Sequence, residues 1–373
     1  MDEKTLTMIA VGDLVLQLPQ PETYFEQVAA LLNSADIVAG QGEVIFTDRG
    51  VASSTDVAAT PCPLSHIHAL RYAGFNVITL AGNHVWDSGP AGIEDTIKAL
   101  EEMGIAFTGA GMNINEARKP AIIECNDTIF GFLAYNCVGP RESWATAKKS
   151  GCSYVKIITH YELDHATPGG PPTIYTFADP PSLKLMIEDI QNLRPQCDIL
   201  TVSLHKGIGH TPAVIAMYEK EVSHAAIDAG ADLVLGHHAH ILRGIEQYKG
   251  KFIFHGLGNF VTVTSDLSTK NLKGNPEWAR RRKELFGFEP DPDYPNYPFH
   301  PEARQTIMAK CRISHKKISQ VSYLPCLINK RGQPEILKND EKGQQVFDYM
   351  VKITQKAGLN AIYEWKGDEV IVR

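Results

Sequence analysis

The sequence has no run approaching the roughly 18 consecutive apolar residues needed to span a bilayer, so no membrane-crossing helix is expected. Its opening stretch, MDEKTLTMIAVGDLVL, is acidic and lacks both a basic leader and a small-residue cleavage motif. There is no excess of positive charge either. With 36 basic and 43 acidic residues the formal charge is −7, which gives no electrostatic footprint for nucleic acid or for an anionic membrane. The seven cysteines (Cys62, Cys125, Cys137, Cys152, Cys197, Cys311, Cys326) form no CxxC pair and are odd in number, so neither a disulfide framework nor a thiolate metal knuckle is expected. Internal repeats and low-complexity tracts are missing. These absences predict a cytoplasmic protein without an anchor, acting on a small-molecule or peptide-like anionic substrate, with an oligomer allowed.

What is present is an ordinary globular composition: 373 residues, 43% of them hydrophobic. As far as about residue 262, short apolar runs alternate with amphipathic stretches, the rhythm of a layered α/β domain. The runs predict strands over 6–11, 36–39, 76–80, 128–135, 198–204, 231–235 and 251–255. Helical spacing predicts helices over 22–32, 90–103, 181–193 and 214–229. Two insertions, about 138–179 and 266–304, are too long and too rich in Gly and Pro for ordinary connections. Beyond them, 306–314 and 320–328 read as an antiparallel pair and 341–356 as an amphipathic helix. The organisation expected is therefore one domain over 1–330 with those insertions, and a C-terminal helix and tail over 331–373 packing on it.

Five short motifs, each following an apolar run, concentrate side chains able to bind metal: Gly12-Asp13, Gly42-Glu43, Gly82-Asn83-His84, Ser203-Leu204-His205 and Gly236-His237-His238-Ala239-His240. Singly, each is a turn, a cap or a structural histidine. Together they offer oxygen and imidazole ligands without thiolate, a set suited to Mn, Fe, Zn or a harder ion. The polar motifs are expected at the carboxyl ends of strands, where open α/β sheets collect ligands. His238 and His240, two residues apart on an extended segment, would share one face, with His237 turned away or supporting a ligand.

In this order along an α/β chain, the five motifs resemble the calcineurin-like metallophosphoesterases over most of the first 260 residues. Within that superfamily the chain is most similar to the CapA-like group named for poly-γ-glutamate capsule biosynthesis, through Gly236–His240 and Leu257-Gly258-Asn259-Phe260. The resemblance implies a layered α/β/β/α sandwich and two divalent metal ions. Glu43 would bridge them, with Asp13 and His240 on one side and Asn83, His205 and His238 on the other. His84, and Asp13 as a second candidate, would be the catalytic proton-handling residues. Hydrolysis of a phosphoester or amide by a metal-held hydroxide is the activity implied first, epimerisation by proton abstraction next to a carboxylate the second, and a non-catalytic part in capsule assembly the third.

One departure stands out: Val15 occupies the position where typical members of the superfamily carry the histidine of a D-x-H motif, a loss that CapA-like chains share along with Glu in the second motif. The Asp13 side is therefore expected to be the weaker and more oxygen-rich. For substrate, Arg141 with His160 or His165 in the first insertion could hold a carboxylate through a two-pronged donor. Lys206, His210, His255 and Asn259 lie near the predicted ligands and are further candidates, while Gly256 and Gly258 mark a close backbone approach.

Overall fold

The computed structural model describes residues 5–50, 59–163, 170–266, 280 and 283–373. Its frame is two facing sheets. The first runs in the order Tyr363–Lys366, Glu369–Val372, Lys317–Ile328, Gln305–Ser314, Leu6–Leu16, Ile37–Gly42, Val77–Thr79 and Ala106–Thr108. The second runs Leu242–Tyr248, Lys251–Leu257, Leu233–His238, Ile199–Lys206, Thr128–Asn136 and Ala121–Cys125. Side chains such as Met8, Ala10, Val77 and Ile307 from one sheet, and Phe132, Leu233, Leu235 and Phe254 from the other, close a core between them. The outer face of the first sheet is covered by a layer including the helix Gly89–Glu102. Pro180–Leu193 and Met217–Ala229 cover that of the second. The chain is thus a layered α/β/β/α sandwich.

Local chemistry accounts for these elements. Ile199–Lys206 is buried at every position, as a parallel strand covered on both faces must be, and it reads as a nearly continuous apolar run. Asp179 caps the helix Pro180–Leu193 by accepting from Ser182 N–H, with proline in its first turn. Met186, Ile190 and Leu193 then bury one face of it. Glu341–Lys356, capped by Asp340, lays Val346, Met350 and Ile353 against the rim of the inter-sheet core.

The structure differs from the sequence expectations at several elements. The stretch 22–32 is not one helix: a 3-10 turn, Pro21–Phe25, and a single helical turn, Ala29–Leu32, are separated by Val28, whose φ of −125° is not helical. The first strand continues to Leu16 because a new neighbour meets it there. Over Leu6–Ala10 it pairs with Gln305–Ser314, and from Asp13 to Leu16 with Asn259–Val263, the register shifting on either side of Asp13. The strands Ala121–Cys125, Leu242–Tyr248 and Asn259–Val263 were not foreseen. The C-terminal tail is more than packing, since Tyr363–Lys366 and Glu369–Val372 add two strands to the first sheet. The first insertion carries a two-stranded ribbon, Ile157–Glu162 with Thr173–Ala178. All seven cysteines are free thiols. Among the described residues, no helix is long and apolar enough to cross a membrane.

Candidate metal centre

Asp13 does not sit past the end of a strand, as the sequence led us to expect, but inside one, at the bulge where the partner changes. Such bulges re-aim a side chain. Gly12 is required there because a Cβ would lie 1.9 Å from the carbonyl oxygen of Gly258. The backbone is then pinned: Asp13 N–H donates to Gly258 O at 3.0 Å, and Thr262 Oγ1 donates to Asp13 O at 2.7 Å. Glu43 directly follows the neighbouring strand Ile37–Gly42, with its N–H donating to Leu14 O at 3.1 Å. Asn83 and His84 occupy the turn after Val77–Thr79, His205 lies near the end of Ile199–Lys206, and His238 ends Leu233–His238.

All six candidate ligands converge. On one side, His205 Nε2 lies 2.7 Å from Asn83 Oδ1 and 3.2 Å from His238 Nδ1, with Glu43 Oε2 at 3.6 Å. Metal–nitrogen bonds of about 2.0–2.1 Å place tetrahedral ligand atoms about 3.3 Å apart, so the two imidazole nitrogens stand at the edge length of a coordination polyhedron. Burial drives both rings toward the neutral, ligating form, His205 well below its usual range with the help of His238, and His238 down to about 3 with the help of His240. The ligand atoms of Glu43, His205 and His238 all fall within 4.8 Å of one another.

On the other side, His240 Nδ1 is 3.3 Å from Asp13 Oδ2, and His240 Nε2 is 3.5 Å from Glu43 Oε1. Asn259 Oδ1 lies 2.9 Å from His240 Nδ1, while Asn259 Nδ2 donates to Tyr297 Oη at 2.9 Å and Tyr297 Oη donates to Ala303 O at 2.6 Å. This chain fixes the ring so that Nε2 faces the centre, the usual task of a partner behind a metal-bound histidine. Burial alone would push His240 down, but its hydrogen bond to Asp13 and the negative charges of Glu43 and Asp13 outweigh it and lift the ring to about 9. Asp13 is pulled below the carboxylate range in turn: burial acts against this, and hydrogen bonds from His237 and His240 prevail.

The donor set fits a divalent cation on a direct observation. Glu43 is 2% exposed, yet neither of its carboxylate oxygens has a hydrogen-bond partner, the nearest nitrogens being those of His205 and His240. Among the described residues no lysine or arginine pairs with Glu43 or Asp13. Two buried carboxylates with only the one raised histidine, His240, against them leave room for further positive charge, which a divalent ion would supply. The Glu43 carboxyl is accordingly pushed up to about 7, by burial first and by Asp13 second.

His84 stands at the partly exposed rim, its Nδ1 2.6 Å from Asp87 Oδ2, which also accepts from Ala59 N–H at 2.6 Å. Although burial opposes it, the bond to Asp87 and the charge of Glu43 raise the His84 pKa. Sequence reasoning missed Asp87; its spacing three residues beyond His84 in one turn was the available clue. Asp13, by contrast, is fully buried and its carboxyl is held in the ionised form by His237 and His240, an environment that suits a ligand better than a group exchanging protons with substrate.

Other expectations change as well. His238 and His240 are not on an extended segment: both have positive φ, 83° and 55°, a backbone state rarely adopted outside glycine and typical of functional sites. His237 turns to Asp13, its Nδ1 3.3 Å from Oδ1. Lys206, adjacent to a ligand, points to the opposite face as strand alternation demands. There it is buried with Glu219 at 3.2 Å and His255 Nδ1 at 2.9 Å, and Arg243 joins the same Glu219 at 2.8 Å. His255 completes this network through Glu246 at 2.9 Å, so it is not a substrate residue. Asn259 positions His240 rather than facing substrate. Arg141 is exposed, with its guanidinium 6.0 Å from the centroid of the Trp144 ring, and His160 pairs with Glu162 on the exposed ribbon; neither joins the six ligands. His165 lies outside the described residues.

The family model for the bacterial capsule synthesis protein PGA_cap matches residues 7–264. The chain is 27% identical over 271 residues to the capsule biosynthesis protein CapA of Bacillus anthracis, covering 70% of this chain and 60% of that protein. It is 30% identical to a probable polyglutamine synthesis accessory protein of Mycobacterium tuberculosis, covering 63% and 58%. It therefore spans about three fifths of the length of the curated relatives it matches. Among solved structures, a hypothetical protein from Thermus thermophilus aligns over 86% of this chain and 98% of that one, with 14% identity and a TM-score of 0.47. A calcineurin-like phosphoesterase from Bacillus subtilis aligns over 95% and 98%, with 10% identity and a TM-score of 0.39.

Proposed function

Since the chain belongs to the bacterial capsule synthesis protein (PGA_cap) family, we propose that it is a metal-dependent hydrolase that cleaves a phosphoester or an amide bond in an anionic small-molecule or peptide-like substrate. The observation that carries this reading is the buried carboxylate of Glu43, which has no hydrogen-bond partner, with one oxygen facing His205 and the other facing His240. Asn83, His205 and His238 would hold one divalent ion with Glu43, and Asp13 with His240 would hold a second. Bound there, such ions polarise the scissile group and turn water into a nucleophile at neutral pH. His84 supplies what the ligands cannot: its Nε2 proton, backed by Asp87 at Nδ1, is available to the leaving oxygen or nitrogen at the open rim.

The test is elemental analysis of the protein together with a turnover panel of phosphoesters and γ-linked peptides, comparing wild type with His84→Asn and His238→Ala. His84→Asn should keep its metal and lose about 100-fold or more in turnover, while His238→Ala should lose metal. A wild-type protein that takes up no divalent ion sinks the reading. A non-catalytic part in capsule synthesis is the second reading, favoured by the word accessory in the description of the mycobacterial relatives. Metal uptake without turnover of any substrate class would move the balance to it.

A further inference from the structure

The ribbon carried by the first insertion, Ile157–Glu162 with Thr173–Ala178, belongs to neither main sheet and pairs only within itself. Its two edges are not alike. Along Thr173–Ala178 the helix Met217–Ala229 closes in: Ala178 N–H donates to Glu221 Oε2 at 2.7 Å, and Tyr218 N–H donates to Thr176 Oγ1 at 3.3 Å. The outer edge of Ile157–Glu162 meets no further strand among the described residues. Such an edge is a template for another chain, and proteins usually guard it with proline, a bulge or charges along its length. Here no proline falls between Lys156 and Glu162, the register with Thr173–Ala178 runs without a bulge, and Lys156 and Glu162 stand only at the two ends. Two strands alone are marginally stable in water, and this pair leaves apolar side chains uncovered on both faces. Tyr161 is 61% exposed and Ile174, opposite it, 52%; Tyr175 and Phe177, on the other face, are each 41% exposed.

The residues of the open edge match a second copy of themselves. Two copies of one strand related by a two-fold axis pair antiparallel, with the axis perpendicular to the ribbon, so each face stays on its own side and one residue must stand opposite its own counterpart. With Thr159 at the axis, Ile158 faces His160, Ile157 faces Tyr161 and Lys156 faces Glu162 of the other copy. Thr–Thr, aliphatic–aromatic and opposite-charge pairs are the combinations that stabilise antiparallel strands, and symmetry supplies the charge pair twice. Moving the axis to His160 would instead set Glu162 against Ile158 and the two histidines against each other. Both charged ends can be reached: the side chain of Glu162, beside His160 at 2.8 Å, is 59% exposed, and that of Lys156, beside Asp179 at 3.2 Å, 35%. In the Thr159 register the two ribbons merge into one four-stranded sheet, with Phe177 and Ile158 of one copy in a row with His160 and Tyr175 of the other.

We propose that the chain forms a two-fold dimer by antiparallel pairing of Ile157–Glu162 with the same strand of a second copy, centred on Thr159. The interface is independent of the metal-dependent reading and stands or falls without it.

The test is sedimentation equilibrium of the full chain over a concentration series, with circular dichroism establishing that each variant is folded. Wild type should rise from one chain mass to two as the concentration passes through the micromolar range. Thr159→Lys sets like charges directly opposite each other at the axis and should leave a monomer. Glu162→Lys makes both charge pairs repulsive and should raise the dimer Kd about tenfold. Combining it with Lys156→Glu restores opposite charges across the axis and should return the Kd to within about threefold of wild type. A wild type that stays monomeric throughout the series overturns the proposal. So does a dimer that Thr159→Lys leaves intact, which would place the interface elsewhere, or a Glu162→Lys defect that the charge exchange does not repair.

Discussion

Replacing Glu43 with glutamine should change the sign of its effect depending on whether metal is present. In metal-free protein the carboxyl is pushed from 4.5 to about 7 by burial and by Asp13. At about 1.36 kcal/mol per unit, keeping it ionised at pH 8 costs roughly 3 kcal/mol. Glutamine removes that charge, although a buried amide without full partners gives back about 1 kcal/mol, so a net gain of about 2 kcal/mol is expected. For 373 residues the unfolding entropy is about 0.8 kcal/mol/K, and the gain appears as a Tm higher by roughly 2–3 °C in the presence of chelator. Metal reverses the order. At a thousand times its Kd, a bound ion stabilises wild type by about 4 kcal/mol, or roughly 5 °C, whereas the variant, lacking the anionic ligand, should gain little. Differential scanning calorimetry at pH 8, with chelator and with excess manganese, reads both limbs. A variant that melts below wild type in chelator would mean that protein donors already satisfy the carboxylate. Equal metal gains in the two proteins would remove Glu43 from the ligand set.

Other consequences can be checked separately. Asn259→Ala takes away one of the two oxygens facing His240 Nδ1, leaving Asp13 Oδ2, and should weaken one of two metal sites by about 10-fold while sparing the site built on His205 and His238, as read by two-site titration. Gly12→Ala places a methyl 1.9 Å from Gly258 O and should cost about 3 kcal/mol, the upper end for overpacking, as a lower urea midpoint. Acidification should unfold the protein through the network behind the centre. His255, ordinarily near 6.5, is pushed down to about 3 by burial and by Lys206. Glu246, ordinarily near 4.5, is pulled to about 2 by His255 and His224 against the effect of burial. In both cases the unfolded chain binds more protons, so stability present at neutral pH is lost as pH falls from about 6.5 toward 2. His255→Gln should flatten the upper part of that pH profile; an unchanged slope between pH 6 and 4 would count against the assignment.

The convergence of the six candidate side chains was legible because residues of scarce, metal-capable types followed apolar runs, and because those runs had to become buried strands. The direction of the neighbouring side chains was legible too, but only with the pleat applied: Lys206, one residue after a ligand, had to face away. The left-handed backbones of His238 and His240 left no trace, since neither residue is glycine, the type that marks such a conformation in sequence. The role of Asn259 was hidden because it depends on Tyr297, a residue inside the second insertion and 38 positions away. Val15 could be recognised as a missing histidine, and the structure shows what it does instead: it packs into the core beneath the first sheet. The split of the expected helix at 22–32 escaped because apolar spacing alone does not reveal where one residue leaves helical φ.

The change of partner along Leu6–Leu16 also bears on when during folding the centre can form. Asp13 has one neighbour close in sequence, Ile37–Gly42, but the strands on its other side, Asn259–Val263 and Gln305–Ser314, lie far along the chain. Contacts so distant in sequence are slow to close and come late. In a chain translated amino-terminus first, the other five proposed ligands emerge before Asn259–Val263, when Asp13 has only Ile37–Gly42 beside it. A centre with both proposed halves formed would therefore have to wait until Asn259–Val263 has been made and paired.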